Sequence, residues 1–442
     1  MTTRVLSGQM QRVVATIFVL ATMSGGCDWR DLDDLAAHAP VLSVGAPGDF
    51  GPKDDFGRAV LPIAAPADTD GIAARFMVSG VGQTGLAEVS LDGKGKATAR
   101  NIKGPELSML NPYPVPVMAE IPGVKPGSLL VGAPVLDMVV GGRVFVVTLA
   151  KMPEVVRFAT STEPGFGIGL ASGNLVGAAA ADYVVASADT LSVYVDGSLS
   201  GMLPVYTSTA ECPISLSATR QSDTKMPVSR PVAIGHWVGA GTEPQIAVGT
   251  AAAGAGKGSV SFFSVSATAI TCLQTVTGAE TQFGYALAAG DFNGDGATDL
   301  VVGAPPKNAY VYLGPLAASP AAVSLPSDAT AFRFGNAVAA VNVDGKTGDE
   351  AVVSDPNATV KGVELAGTAH VFSFTGATPM KSSLADHDPQ GGASYGVTVN
   401  ALAFCPTACA PSNLRRLVVV GAAAEIFTYF KLGAGDTDPR LP

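Results

Sequence analysis

Oxygen-bearing side chains recur at short intervals in the segment Asp291-Phe292-Asn293-Gly294-Asp295-Gly296-Ala297-Thr298-Asp299. They occupy positions 1, 3, 5 and 9, and the backbone carbonyl of Ala297 at position 7 can fill the remaining gap. Calcium accepts many oxygen ligands in irregular geometry, whereas magnesium prefers a stricter octahedron. Because three carboxylates held together repel one another without a cation, we predict that this loop binds one structural calcium ion. The alternative is a metal-free turn, since Asp, Asn and Gly favour turns.

A second loop of the same length runs from Asn342 to Glu350, but Lys346 replaces its third ligand. The ammonium group could pair with the neighbouring acids and take the place of the ion, so we predict no calcium there. Two corresponding stretches, which end at Asp182 and Gln245, have lost the other acids of the pattern. One calcium site is therefore expected.

Signals for catalysis are weak. The segment Gly80 to Gly85 matches the dinucleotide pattern G-x-G-x-x-G, but the residues after it, Leu86 to Leu91, have the pattern of a strand and not of a phosphate-binding helix. No G-x-S-x-G nucleophile motif occurs in the sequence. We therefore predict no catalytic residues and a non-enzymatic protein.

The composition favours an all-β fold. Of the 442 residues, 47% are hydrophobic and only 14% are charged, and the chain contains 52 glycines and 31 prolines. An apolar chain so rich in turn-forming residues indicates many short strands, because glycine and proline are poorly tolerated inside helices. The net charge of −10 argues against nucleic acid as a partner, since that contact needs clustered Lys and Arg.

The N-terminal region has the layout of a secretory signal. Residues 1–26 contain two arginines, no acid, an apolar run and a small-residue ending before Cys27. This ending resembles the lipobox of bacterial lipoproteins, in which Cys27 would be lipidated, although Ser24 stands where Leu is usual. We predict a signal peptide over 1–26 and a lipidated tether over 27–40, which places the protein outside the cytoplasm in a bacterial cell envelope. Plain secretion is the alternative.

Four further cysteines can form disulfides outside the cytoplasm. Cys405 and Cys409 are most simply a local pair, which leaves Cys212 with Cys272, although four thiols allow three connectivities. The C-x3-C pair could instead be half of a zinc site.

Two short motifs repeat along the chain. An apolar run ending in Val-Gly-Ala-Pro or a weaker copy recurs about every 57 residues. An aromatic-Gly pair precedes it at a nearly fixed distance, since Phe166, Phe283 and Phe334 each lie 19 residues before the final Val of their unit. Two units, which end at Val131 and Val248, lack the aromatic-Gly pair. A period of this length is typical of propeller blades or large solenoid units.

Together these motifs resemble the FG-GAP repeat of integrin alpha-subunit propellers and many bacterial surface proteins. The resemblance implies an all-β, seven-bladed β-propeller over 41–433, followed by a C-terminal tail over 434–442. The strand Val41 to Val44 has no outer strands of its own, so we expect it to complete the last blade and close the ring. An eighth, truncated blade is the alternative.

The resemblance also implies a function. In this family calcium loops lie on one face and partner contacts are common on the other, so we expect a non-catalytic, adhesion-type propeller that binds a protein or a glycan. The expected membrane contact is through the lipid anchor only. The alternatives are a propeller-fold hydrolase or lyase with its site in the central channel, and a structural scaffold of the envelope.

Overall fold

A computed structural model gives the fold. It describes residues 41–45, 57, 59–63, 72–79, 86–92, 97–102, 117–123, 127–134, 142–149, 154–177, 180–215, 230–251, 257–280, 282–343, 345–385, 390–404, 415–422 and 425–431. The regular elements of these residues are 28 β-strands, arranged as seven four-stranded antiparallel sheets. The described residues include no helix with the length and apolar character needed to cross a membrane.

Six sheets are blades built from consecutive strands. Blade I contains β2 (Ala59–Ile63), β3 (Ile72–Ser79), β4 (Leu86–Asp92) and β5 (Ala97–Asn101). Blade II contains β6 (Val117–Ile121), β7 (Ser128–Ala133), β8 (Gly142–Thr148) and β9 (Glu154–Ser161). Blade III contains β10 (Gly169–Gly173), β11 (Asp182–Ala186), β12 (Thr190–Tyr194) and β13 (Tyr206–Thr207). The strands of each blade pair in chain order.

The next three blades follow the same order. Blade IV contains β14 (Val232–Gly235), β15 (Gln245–Thr250), β16 (Ser259–Val265) and β17 (Ile270–Thr277). Blade V contains β18 (Ala286–Gly290), β19 (Asp299–Ala304), β20 (Asn308–Tyr312) and β21 (Ala322–Ser324). Blade VI contains β22 (Val338–Val341), β23 (Glu350–Asp355), β24 (Thr368–Thr375) and β25 (Thr378–Leu384).

The seventh sheet combines the two ends of the described chain. It contains β26 (Thr398–Phe404), β27 (Arg415–Gly421) and β28 (Glu425–Lys431), with β1 (Val41–Gly45) paired to the outer side of β28. The pairing is antiparallel and runs from Val41 opposite Tyr429 to Gly45 opposite Glu425. The N-terminal strand that the sequence predicted is therefore part of a sheet with the last three strands. We call this sheet the composite sheet.

The sheets are arranged as a β-propeller. The first strands of successive sheets contact one another from β2 through β6, β10, β14, β18 and β22 to β26, and β26 also contacts β2. The second strands β7, β11, β15, β19 and β23 are buried at every residue, so both faces of each strand are covered. Apolar side chains of neighbouring blades meet between the sheets, for example Phe262 of blade IV with Phe283 and Val302 of blade V.

The repeated glycines explain how neighbouring blades pack. A Cβ atom on Gly303, near the end of β19, would lie only 2.2 Å from the carbonyl oxygen of Gly335, at the start of blade VI. Three other glycines make the same approach to an aromatic-Gly turn of the next sheet: Gly132, Gly249 and Gly421. The two sequence motifs are thus the two sides of one contact between sheets. We call the side of the propeller with these contacts the turn face, and the opposite side, which carries residues 291–299, the loop face.

A disulfide joins Cys212 to Cys272, as the sequence analysis favoured. Cys212 follows the last strand of blade III, and Cys272 lies on β17 of blade IV, so the bond links consecutive blades. Cys405, Cys409, Cys27 and the predicted signal, tether and tail segments lie outside the described residues.

Candidate calcium loop

The candidate loop connects the first two strands of blade V. β18 ends at Gly290 and β19 begins at Asp299. Gly294 and Gly296 have φ values of 73° and 83°, a backbone conformation that glycine adopts readily and other residues rarely do. These two glycines allow a tight turn, which brings Asp291 and Asn293 close to Asp295.

Two of the predicted ligands converge on one backbone amide, and a third is held by an amide nearby. The Oδ1 atoms of Asp291 and Asn293 each accept a hydrogen bond of 3.1 Å from the N–H of Asp295. The second oxygen of Asp291 accepts from the Gly296 N–H at 2.9 Å, and Asp295 accepts from the Ala297 N–H at 2.8 Å. The loop backbone therefore holds two carboxylates and one amide oxygen close together.

Asp299, the fourth predicted side-chain ligand, has different surroundings. It is fully buried, and its two oxygens accept 2.8 Å hydrogen bonds from the backbone N–H groups of Phe292 and Gly314. Burial raises the pKa of Asp299 to about 6, and the nearby charge of Asp295 adds to the increase. Asp299 fixes the loop to the start of β19 and to the end of the following strand.

Residues 283–314 match the family model of the FG-GAP repeat. The matched segment spans Phe283-Gly284, the whole candidate loop and the sequence Gly303-Ala304-Pro305 at the end of β19. No curated protein matches the chain. The match covers the unit that begins at Phe283, and it confirms the resemblance to FG-GAP repeats there.

The anchoring role of Asp299 recurs in other blades of the propeller. Asp182, Gln245 and Glu350 each begin the second strand of their blade, and each is buried. Each accepts hydrogen bonds from backbone N–H groups of the preceding loop, as Asp299 does. The sequence analysis missed this shared role because it treated these positions only as present or lost calcium ligands. The signal was available, since an acid or amide stands at all four positions.

A buried tryptophan supports the repeat from the preceding blade. Trp237 is fully buried in the corresponding loop of blade IV, and its Nε1–H donates to the carbonyl oxygen of Asp299 at 3.1 Å. The Leu316 N–H donates to the carbonyl oxygen of Trp237. Trp237 is thus the counterpart in blade IV of the buried Phe292, since the Trp237 N–H donates to Gln245 as the Phe292 N–H donates to Asp299.

The donor atoms of the matched repeat suit calcium in chemical type. Asp291, Asn293 and Asp295 supply only oxygen ligands, and Ala297 adds a backbone carbonyl. Among the described residues, however, no group of three or more His, Cys, Asp and Glu side chains is arranged to hold a metal ion. Both carboxylate oxygens of Asp299 accept hydrogen bonds from backbone N–H groups, and so do both oxygens of Asp291. Three side chains of the predicted set are therefore brought together, and the fourth anchors the loop.

Blade VI contains a separate titratable group that is buried. The Nδ1 atom of His370 lies 2.8 Å from the hydroxyl of Ser383, and its Nε2 atom lies 3.7 Å from a carboxylate oxygen of Asp328, which also pairs with Lys381. Burial lowers the pKa of His370 to about 4, against the opposing attraction of Asp328. The folded protein therefore keeps this imidazole neutral at neutral pH.

His370 is expected to weaken the fold in acid. Between pH 6.5 and 4 the unfolded chain binds a proton at this position and the folded chain does not, so stability falls as the pH is lowered. The loss is on the order of 3 kcal/mol. The free energy of unfolding of the wild type and of His370→Gln, measured from pH 7 to 4, gives this loss as the change in the difference between them. If the difference in free energy of unfolding stays constant over this range, the predicted effect of His370 is wrong.

Proposed function

We propose that this protein is a non-catalytic, calcium-stabilised FG-GAP propeller that binds a protein or glycan partner outside the cytoplasm. The observation that carries the proposal is the matched repeat, whose polar loop lies within a propeller of similar units. The first strands of the seven sheets, which contact one another, support a binding role over a catalytic one. Glu120 is the single ionisable residue in these strands, β2, β6, β10, β14, β18, β22 and β26.

The composite sheet is, in this proposal, a seventh blade that closes the ring. Two contacts support it. The side-chain amide of Asn400 on β26 donates to the carbonyl oxygen of Val60 on β2 at 3.2 Å. A Cβ atom on Gly421 would lie 2.1 Å from the carbonyl oxygen of Gly57, which is the same contact that Gly303 makes with the next blade. β1 then serves as the outer strand of the closing blade.

Ring closure predicts that cysteines placed across β1 and β28 will form a disulfide. Adjacent residue pairs in an antiparallel ladder alternate between wide and narrow spacing. Two double variants sample one pair of each spacing: Leu42→Cys with Thr428→Cys, and Ser43→Cys with Phe427→Cys. One of the two pairs should oxidise within a single chain, as measured by mass spectrometry of unreduced peptides. The matched control pairs Ser43→Cys with Glu243→Cys. Closure by β1 is wrong if neither pair forms.

Calcium would be held by Asp291, Asn293, Asp295 and the carbonyl of Ala297, with Asp299 as the anchor of the loop. The ion would supply positive charge that offsets the repulsion between the carboxylates. The chain itself supplies the geometry, because the N–H groups of Asp295, Gly296 and Ala297 hold the ligand oxygens in place. This role is structural.

The topology supports one orientation for an anchored protein. Gly45 lies opposite the start of β28, on the turn face, and Val41 lies opposite Tyr429 near its end, on the loop face. The chain from the proposed lipid anchor at Cys27 thus enters the propeller on the loop face. The turn face is then the side directed away from the membrane and free to meet a partner.

The turn face offers exposed apolar groups. Phe332 and Leu365 are 62% and 48% exposed, and both lie in connections on this face. The Phe332 N–H donates to Asp355 at the end of β23, and the Leu365 carbonyl accepts from the Gly392 N–H of the next connection. Hydrogen bonds therefore link these connections into one surface, which supports a binding role because ordered loops can present a preformed contact.

Site-specific photocrosslinking in the native envelope tests the binding proposal. A photoreactive residue at Phe332 on the turn face should give a defined adduct with a protein or glycoconjugate, whereas the same residue at Thr347 on the loop face should not. Equal adducts from both positions would contradict the assignment of the turn face, and none from either would contradict the binding function.

A further inference from the structure

The loop of blade VI lies directly against the candidate calcium loop of blade V. The Asp291 N–H donates to the Oδ2 atom of Asp349 at 2.9 Å, and the Asp349 N–H donates to the carbonyl oxygen of Asp291 at 2.6 Å. These two hydrogen bonds are reciprocal, so they fix both polar groups of the Asp291 backbone to one residue of the neighbouring blade.

The two loops also leave no free space between them. A Cβ atom on Gly348 would lie 3.1 Å from the carbonyl oxygen of Phe292, and one on Gly294 would lie 2.7 Å from the Cγ2 atom of Thr347. Contacts this close occur on both sides of the Asp291–Asp349 pair. Movement of one loop therefore requires movement of the other.

The position of the Asp291 backbone decides where its carboxylate lies. That carboxylate uses both oxygens to hold the N–H groups of Asp295 and Gly296, so the whole arrangement of ligands depends on Asp291. Without the Asp349 carboxylate, the half-buried Asp291 N–H would lose its acceptor, and a different loop geometry would become favourable.

We infer that Asp349 is a positioning residue for calcium binding by blade V. The inference rests on the proposed calcium function. The loop of blade VI, which carries Lys346 in place of the third ligand, thereby supports the ligands of its neighbour without binding an ion itself. Binding in blade V then also strengthens the contact between blades V and VI.

The test compares calcium dissociation constants of full-length mature chains by chelator competition. Removal of a residue that orients a metal ligand typically weakens metal binding 10- to 100-fold, so Asp349→Ala should bind calcium at least about tenfold more weakly. Asp349→Asn keeps an acceptor oxygen for the Asp291 N–H and should stay within about threefold of the wild type. Glu243→Ala removes one exposed charge from the same face, and its affinity should also stay within about threefold.

Hydrogen exchange in the presence of a chelator provides a second readout. The segment 290–296 should exchange faster in Asp349→Ala than in the wild type, while the strands of blades I to III exchange unchanged. If Asp349→Ala does not fold, Asp349→Ser, whose hydroxyl is shorter than the carboxylate, replaces it with the same expected result.

The possible failures differ. If the wild type binds calcium and Asp349→Ala binds it with equal affinity, the positioning role alone is overturned. Equal losses in Asp349→Ala and Glu243→Ala overturn it as well, since the effect would then be one of general charge. A wild type that binds no calcium overturns the proposed calcium function and this inference with it.

Discussion

Gly303→Ala is expected to destabilise the protein by about 4 kcal/mol or more. The new Cβ atom would lie 2.2 Å from the carbonyl oxygen of Gly335, far inside van der Waals contact. Neither partner can move easily, because Gly303 is paired within β19 and Gly335 has a φ of 91° and donates to the Ser354 carbonyl. The blades must separate to relieve the overlap. Chemical denaturation of the purified variant measures the loss.

Gly241→Ala is the matched control. Gly241 lies in an exposed loop, where the nearest heavy atom to a new Cβ, the backbone nitrogen of Glu243, is 4.0 Å away. The same substitution there should change the free energy of unfolding by less than about 1 kcal/mol. Similar effects of the two substitutions would contradict the account of how the blades pack.

Loss of the Cys212–Cys272 disulfide is expected to cost about 4 kcal/mol. The bond closes a loop with a sequence separation of 60 residues, and the chain-entropy model gives this value for a loop of that size. Cys212 is also buried among Leu203, Ile214 and Phe263 between blades III and IV. The double variant Cys212→Ala/Cys272→Ala keeps a small apolar group at both positions, so it removes chiefly the covalent link.

The reducing agent dithiothreitol separates this effect from packing. Its addition should lower the stability of the wild type toward that of the double variant and change the variant far less, since only the predicted local pair of Cys405 and Cys409 would remain to be reduced. A double variant as stable as the oxidised wild type would show that blades III and IV are held together by packing alone.

The sequence predicted the repeat architecture because the contact between blades constrains two residues at a fixed distance. Gly303 contacts the next blade and Gly284 contacts the preceding one, on opposite faces of the same sheet. Both the residue types and the distance between them are therefore constrained. Blades II and IV lack the aromatic-Gly pair and still form four-stranded sheets. Their strands are apolar enough to pair and to pack between neighbouring blades that have the aromatic-Gly pair. A search for the motif does not detect this.

The role of Asp299 could not be predicted from the loop alone. The pattern of acids is the same whether the last carboxylate binds an ion or the backbone, and only the distances to the N–H groups of Phe292 and Gly314 distinguish the two. Asp349 was missed for a related reason. Its contact with Asp291 joins two blades, and no spacing within one repeat encodes it.

The most direct test of the account is a calcium titration of the mature chain lacking residues 1–27, followed by thermal unfolding. Calcium at about 100 times its dissociation constant should stabilise the wild type by about 2.7 kcal/mol, which raises the melting temperature by about 3 °C. Magnesium at the same concentration should raise it less, and Asp295→Ala should show no calcium-dependent rise. A wild type whose melting temperature does not change at millimolar calcium would show that the loop 291–299 is a metal-free turn, and would contradict the calcium-stabilised propeller.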